Sequence, residues 1–395
     1  MVYTGLDRLK SFWPKRFRGA RVGLLVHPAS VNRRLEHASD IAIKSKAFEI
    51  RAFFGPQHGI RGETQDNMVE WEGFIDRKTG LPVYSLYGET RKPSGEMLKD
   101  IDVLLIDLQD VGSRYYTFIW TMDLCIQACL ENNRSIIILD RPNPIGGEIT
   151  EGPVLDMALS SFVGLKPLPV RHGMTIGEIG LYMRDKFYPE IDLHLIRMKG
   201  WSRRMWFDDT GLPWVLPSPN MPTLDTAIVY PGICLLEGTN LSEGRGTTRP
   251  FEMIGSPFID PDSLVNRLRE FRIPGVIFRP LYFQPTFHKH AGRLCGGIQI
   301  HVIDRNRFRS FKTGVAIIKA VHDLYPDEFR WKEPPYEYET EKLPIDIIAG
   351  TERLRELIES GESLKVMEDW WQEECRWFDR NVRRDFLIYD IKSFS

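Results

Sequence analysis

The residues best equipped for chemistry lie between Glu237 and Glu252, in the run Glu-Gly-Thr-Asn-Leu-Ser-Glu-Gly-Arg-Gly-Thr-Thr-Arg-Pro-Phe-Glu. Glu237, Glu243 and Glu252 supply carboxylates and Arg245 and Arg249 supply guanidiniums, while Gly238, Gly244 and Gly246 permit turns that a Cβ would forbid. No apolar periodicity accounts for the run, and it follows a buried-looking segment from Ile228 to Leu236. A polar, glycine-hinged loop on the end of a packed element is a common place for a binding site. The plainer alternative is a solvated loop with local ion pairs.

Three further polar segments share this character. Gly55-Pro-Gln-His-Gly-Ile-Arg-Gly-Glu-Thr-Gln-Asp-Asn67 carries His58 and Glu63. Leu108-Gln-Asp-Val-Gly-Ser-Arg-Tyr-Tyr-Thr117 carries Asp110, Arg114 and Tyr116, and Arg141-Pro-Asn-Pro-Ile-Gly-Gly-Glu148 carries Arg141 and Asn143.

Alternating strands and helices must position these loops. Arg21-Val-Gly-Leu-Leu-Val-His27 is a continuous apolar run of the kind buried on both faces of a parallel sheet. Glu49–Phe54, Pro82–Leu86, Asp102–Asp107 and Ser135–Asp140 read as further strands. Within Tyr115–Glu131, Phe118, Met122, Cys125, Ile126 and Cys129 recur at helical spacing. This order predicts an α/β protein with a Rossmann-like parallel sheet, in which ligands bind beyond the carboxyl ends of the strands. Each polar segment begins at such an end. Pro28-Ala-Ser-Val stands where a dinucleotide-binding glycine fingerprint would follow the first strand, and no P-loop occurs, which disfavours a nucleotide cofactor.

The chain's 395 residues exceed one ordinary core, and a second part begins near Glu151, predicting domains over 1–150 and 151–395. Thr175-Ile-Gly-Glu178 is a capping box for a helix, and Asp192–Met198 reads as a strand. Trp201–Pro222, rich in Trp and Pro, reads as an irregular loop walling a pocket. Asp260–Phe271 and Phe311–Leu324 read as helices, Val276–Phe283 and Gly297–Ile303 as strands, and 351–380 as a charged helical tail. A net charge of −2 leaves no electrostatic footprint for nucleic acid or an anionic membrane. Five scattered cysteines without a C-x-x-C, no apolar signal core and no 20-residue apolar span predict a cytoplasmic protein.

Five segments together resemble one family: Gly55-Pro-Gln-His-Gly59, Pro82-Val-Tyr-Ser-Leu-Tyr-Gly88, Asp107–Thr117, Asp140-Arg-Pro-Asn-Pro144 and Glu237–Thr248. It is the NamZ-type exo-β-N-acetylmuramidases, glycoside hydrolase family 171, and the resemblance runs from about Gly5 to Tyr389. It implies a Rossmann-like N-terminal domain bearing the active cleft, a smaller C-terminal α/β domain, and no metal or other cofactor. The implied substrate is a muropeptide or amino-sugar disaccharide, from whose non-reducing end N-acetylmuramic acid is released. Cell-wall recycling is the corresponding role, and an oligomer is compatible with it. Gln57 departs from the family's first motif, which reads Gly-Pro-Glu-His-Gly, and Gln65-Asp-Asn-Met-Val-Glu70 replaces a small-residue stretch ending in Glu.

Glycoside cleavage needs a protonated acid for the leaving oxygen and a second group as nucleophile or base. Glu63, Glu70, Asp110, Glu237 and Glu243 are the carboxyl candidates, with Glu70 favoured as acid or base and Glu243 or Glu237 as its partner. Tyr116 is placed to serve beside a base, and His58 to hydrogen-bond the sugar or relay a proton. Arg114, Arg141 and Arg245 are candidates for the lactyl carboxylate of muramic acid, and Asn143 and Asn240 for its hydroxyl and acetamido groups. Two alternatives stay open. One is a binding or sensing protein that lost its acid, motivated by Gln57. The other is a metal-dependent hydrolase, for which His288-Lys-His290 lacks carboxylate or Cys partners.

Overall fold

The computed structural model describes residues 1–62, 64 and 68–389, so Glu63, one of the expected carboxyl candidates, lies outside the described residues. Strands β1 (Ala20–Val26), β2 (Phe48–Gly55), β3 (Phe74–Ile75), β4 (Pro82–Ser85), β5 (Val103–Asp107) and β6 (Ser135–Leu139) follow one another. β7 (Glu151–Val154) and β8 (Pro169–Arg171) form a separate antiparallel pair, and β9 (Leu193–Ile196) returns to the first group. The resulting sheet has seven strands in the order β3-β4-β2-β1-β5-β6-β9, parallel except for the β3–β4 edge pair.

The apolar runs read as strands are sandwiched between helices. Leu25, Leu104 and Ile106 face the helix Phe118–Glu131, whereas Val22, Leu24, Val26 and Leu105 face the opposite layer with Leu6, Leu9, Ala38 and Ala42. Successive strand residues point to opposite faces, so a strand covered on both sides must be apolar throughout. Each such side chain removed from water stabilises the fold by about 1.5–3 kcal/mol before chain entropy is counted. The helix Ile176–Phe187 starts at the expected capping box, with Thr175 and Glu178 satisfying each other's backbone N–H groups.

The second part holds a three-stranded antiparallel sheet, β10 (Met253–Ser256), β11 (Val276–Phe283) and β12 (Cys295–Val302), in the order β10-β12-β11. Helices Pro261–Glu270 and Ser310–Leu324 accompany it. The charged tail forms two helices, Arg353–Glu359 and Leu364–Asn381, the second lying against β7. The division expected near Glu151 is corrected by β9, which joins the first sheet from well beyond that point. Helices Leu224–Ile233 and Ser310–Leu324 cross backbone to backbone at Gly232 and Gly314, where any Cβ would strike the facing carbonyl. That crossing fixes the end of the first helix, from which the turn Cys234–Gly238 delivers Glu237. Among the described residues no helix is long and apolar enough to cross a membrane.

Candidate active site

A hollow opens beyond the carboxyl ends of β2 and β5, on the edge where the strand order predicts a ligand. Gln57, His58, Tyr115, Tyr116 and Thr117 reach it from the first sheet, and Ser218, Asn220 and Met221 from the Trp- and Pro-rich loop expected to wall a pocket. Tyr230, Glu237, Arg245, Phe251, Tyr336 and Glu337 close it from the second part. The site therefore belongs to both parts of the chain, a correction to a cleft carried by the N-terminal domain alone. It is narrow, with about 40 Å³ free inside.

Backbone strain concentrates here. His58 (φ 67°), Phe251 (φ 64°) and Glu337 (φ 44°) all line the hollow in the left-handed region, which residues with a Cβ rarely adopt. Such conformations cost of order 1–3 kcal/mol each and persist where the surroundings impose them, often at functional sites. Glu337 and Tyr338 (φ 70°) are the central pair of a tight turn closed by reciprocal backbone bonds between Tyr336 and Glu339. Two consecutive left-handed residues match a primed β-turn, normally the province of Asn and Gly. The turn drives the Glu337 side chain inward.

Glu337 was absent from the residues nominated by sequence, and it is the titratable group most suited to proton transfer. It is 5 % exposed, and burial pushes its carboxyl up from an ordinary 4.5 to about 7, with the neighbouring charge of Glu237 acting in the same direction. Hydrogen bonds from the Tyr87 hydroxyl (2.9 Å to Oε2) and the Gln57 side chain oppose the rise. Gln57 accepts from the Thr117 hydroxyl at 2.7 Å, so its amide nitrogen is the end that faces Glu337. The only hint in the chain was an acid between two tyrosines after a Pro-Pro pair, Pro334-Pro-Tyr-Glu-Tyr338, in a segment lacking Gly or Asn to mark a turn.

Also lining the hollow, Glu237 accepts from Arg245 at 2.7 Å through Oε1 and from the Tyr336 hydroxyl at 2.7 Å through Oε2. Arg245 is also 3.3 Å from Glu243, which is fully buried behind it and does not line the hollow. Burial alone would push the Glu243 carboxyl up, but Lys289 (3.0 Å), His288 (3.1 Å) and Arg245 together hold it well below its ordinary value. Glu243 is therefore a permanent anion anchoring Arg245. The His288-Lys-His290 run braces this anchor, with His290 bonded to the Asn240 carbonyl at 2.7 Å. Among the described residues no group of three or more His, Cys, Asp or Glu side chains could hold a metal ion.

Of the other nominated residues, His58 and Tyr116 line the hollow, with His58 Nδ1 donating to the Thr64 carbonyl at 2.8 Å. Burial raises the Tyr116 hydroxyl well above its usual range, and nearby Ser218 opposes the rise. Asp110 is buried out of the hollow, 3.3 Å from His172 Nε2 and accepting from Gly112 N at 2.7 Å. Glu70 is exposed on the outer rim, where it accepts from the Tyr338 hydroxyl at 2.9 Å. Arg114 is wholly buried and gives its N–H groups to the carbonyls of Pro153, Leu168, Ile348 and Ala349, so the expected grip on a sugar carboxylate is corrected to a brace between loops. Arg141 is likewise spent on Asp107 at 2.5 and 2.7 Å. Asn143 bonds Met174 O and Ile145 N, and Asn240 bonds Glu328 O and Arg330 N, so neither side chain is presented to the hollow.

A parallel α/β sheet with two carboxyl groups lining one hollow at its carboxyl edge, one poised near neutrality and one ion-paired, is the kind of site that cleaves acetals by acid–base chemistry. The chain belongs to the exo-β-N-acetylmuramidase NamZ family: its N-terminal domain model matches residues 22–225 and its C-terminal domain model residues 228–389. It is 46% identical over 388 residues to the peptidoglycan β-N-acetylmuramidase NamZ of Bacillus subtilis strain 168, covering 98% of this chain and 91% of that one. Two crystal structures of DUF1343-family proteins from Bacteroides fragilis NCTC 9343 share the fold. One has a TM-score of 0.88 at 34% identity and the other 0.75 at 30%, each comparison covering 98% of this chain and 99% of the other.

Proposed function

We propose that this protein is an exo-acting β-N-acetylmuramidase, releasing N-acetylmuramic acid or a related amino sugar from the non-reducing ends of peptidoglycan fragments. The observation that carries the reading is Glu337, a buried carboxyl poised near neutrality beside a second, ion-paired carboxylate in a member of this family. Near neutral pH a substantial fraction of Glu337 is protonated and able to give its proton to the glycosidic oxygen as the bond breaks. Glu237, held between Arg245 and Tyr336, supplies negative charge toward the oxocarbenium-like carbon and is the partner that activates water or attacks directly. The hollow's 40 Å³ is well short of the roughly 300 Å³ of a typical ligand pocket, so the sugar ring lies across its mouth. Cell-wall recycling is the role proposed with this activity, and five unpaired, buried cysteines accord with a reducing compartment.

Incubation with a 4-nitrophenyl β-N-acetylmuramide tests the reading, and release of nitrophenolate is expected. No release under conditions where a homologue is competent would overturn it. One observation favours a second reading, a sensor that binds without turnover: Gln57 occupies the place of a family carboxylate and contacts Glu337. The Gln57→Glu variant separates the two. If Glu337 is the acid, a second carboxyl beside it shifts the alkaline limb of activity to higher pH with little gain in rate. A gain of tenfold or more assigns the lost acid to position 57.

A further inference from the structure

We propose that Arg91 is the specificity residue of this site, its guanidinium pairing with the lactyl carboxylate that distinguishes muramic acid from other amino sugars. The inference rests on the muramidase reading above. All three arginines nominated from the sequence are committed elsewhere: Arg114 to backbone carbonyls, Arg141 to Asp107, and Arg245 to Glu237 and Glu243. An acidic sugar then lacks a cation, unless another arginine stands at the mouth.

Arg91 lies just outside the lining residues, against the neighbours of two of them, in the loop that leaves β4 through the Pro82–Gly88 motif. Its guanidinium carbon lies 3.6 Å from the centre of the Tyr338 ring and 5.6 Å from that of Phe162. It makes no hydrogen bond and no ion pair among the described residues, the two ring contacts being all that hold it. A contact over a ring uses the face of a guanidinium and spares its in-plane N–H donors, the arrangement that receives a carboxylate with two parallel bonds. The position relative to the acid is fixed through shared rings. Tyr338 follows Glu337 in the strained turn, and Phe162 precedes Val163, which lines the hollow. Tyr87, whose hydroxyl reaches Glu337, has its ring 5.9 Å from Tyr338 and 5.8 Å from Phe162. Glu70 holds the outer edge of Tyr338 through its hydroxyl, keeping the platform in place. Lys332 is another cation nearby, but it sits beside Tyr336, where burial and Lys289 disfavour its charge more than Glu237, Glu243 and Glu337 support it.

The test compares three substrates with one chromogenic leaving group: a β-N-acetylmuramide with a free lactyl carboxylate, its lactyl amide, and the β-N-acetylglucosaminide. Arg91→Ala is expected to lose about 10- to 100-fold in kcat/KM on the free acid, mainly through KM, and less than about threefold on the two neutral substrates. Arg91→Lys, which keeps the charge without the planar fork, is expected to fall between. Equal losses on all three substrates, or none on the free acid, overturn the assignment. If the unmodified protein cleaves none of them, the muramidase reading fails separately. Arg91 is then judged by calorimetric titration of N-acetylmuramic acid into both proteins: weaker binding to the Ala variant sustains the pairing, and equal binding ends it.

Discussion

In the proposed reaction Glu337 is the acid and Glu237 its partner. The Glu337 proton is available below about pH 7, so kcat/KM falls as pH rises through that value, and Glu337→Gln is expected to lose about 10²-fold or more together with this limb. A full pH–rate scan of both proteins checks it, and an unchanged alkaline limb in the variant would count against Glu337 as the acid. Linkage gives an independent readout. The folded-state value is raised above 4.5, so the protonated group's contribution to stability is complete below about pH 4.5 and is lost as pH rises through about 7. Relative to the unmodified protein, Glu337→Gln should therefore gain stability between pH 5 and 8, by on the order of 3 kcal/mol. Denaturant titrations at the two pH values measure it. Glycine-punctuated loops in the sequence point to Glu237, Arg245, His58 and Tyr116, all of which line the hollow, but not to Glu337. Its turn is built by residues that ordinarily avoid left-handed backbone, so no Gly or Asn marks it in the sequence.

At the level of elements, the site depends on how closely helices Leu224–Ile233 and Ser310–Leu324 approach. A Cβ at Gly232 would collide with the Ser310 carbonyl. Gly232→Ala is expected to cost about 1–3 kcal/mol by overpacking and to lower activity as well, because the helix end that carries Glu237 must shift. Thermal unfolding and turnover of the variant, measured together, check this; an unaltered melting temperature would show that the crossing has slack. The strands and most helices were legible because burial on one face or two writes a period of 2 or 3.6 into the chain, or abolishes it. Arg114 shows the limit of that reading. Its loop pointed to a binding residue, yet carbonyls of Pro153, Leu168, Ile348 and Ala349, remote in sequence, claim the side chain.

Across the whole molecule, the end of the described chain is tied back onto the edge of the first sheet. Tyr389 donates to Asp140 Oδ2 at 2.6 Å, and Ile388 N to Glu178 at 2.9 Å. Burial pushes the Asp140 carboxyl up to about 7, and the Tyr389 hydroxyl is the strongest influence holding it from going higher. Tyr389→Phe is expected to cost about 1–3 kcal/mol, seen as a lower melting temperature, with little change in kcat at moderate temperature since neither residue lines the hollow. A loss of kcat without loss of stability would mean that the strap reaches the chemistry.

The sequence alone determined the class of fold, the edge of the sheet where a ligand belongs and the family, because these follow from local periodicity and from long contiguous motifs. Only the tertiary structure decided which acids line one hollow and which arginines are spent on other partners. Burial, ion pairing and the carbonyls that use up a side chain's donors come from segments as far apart as Gln57, Arg91, Glu237 and Glu337, and no single stretch of the chain contains that information.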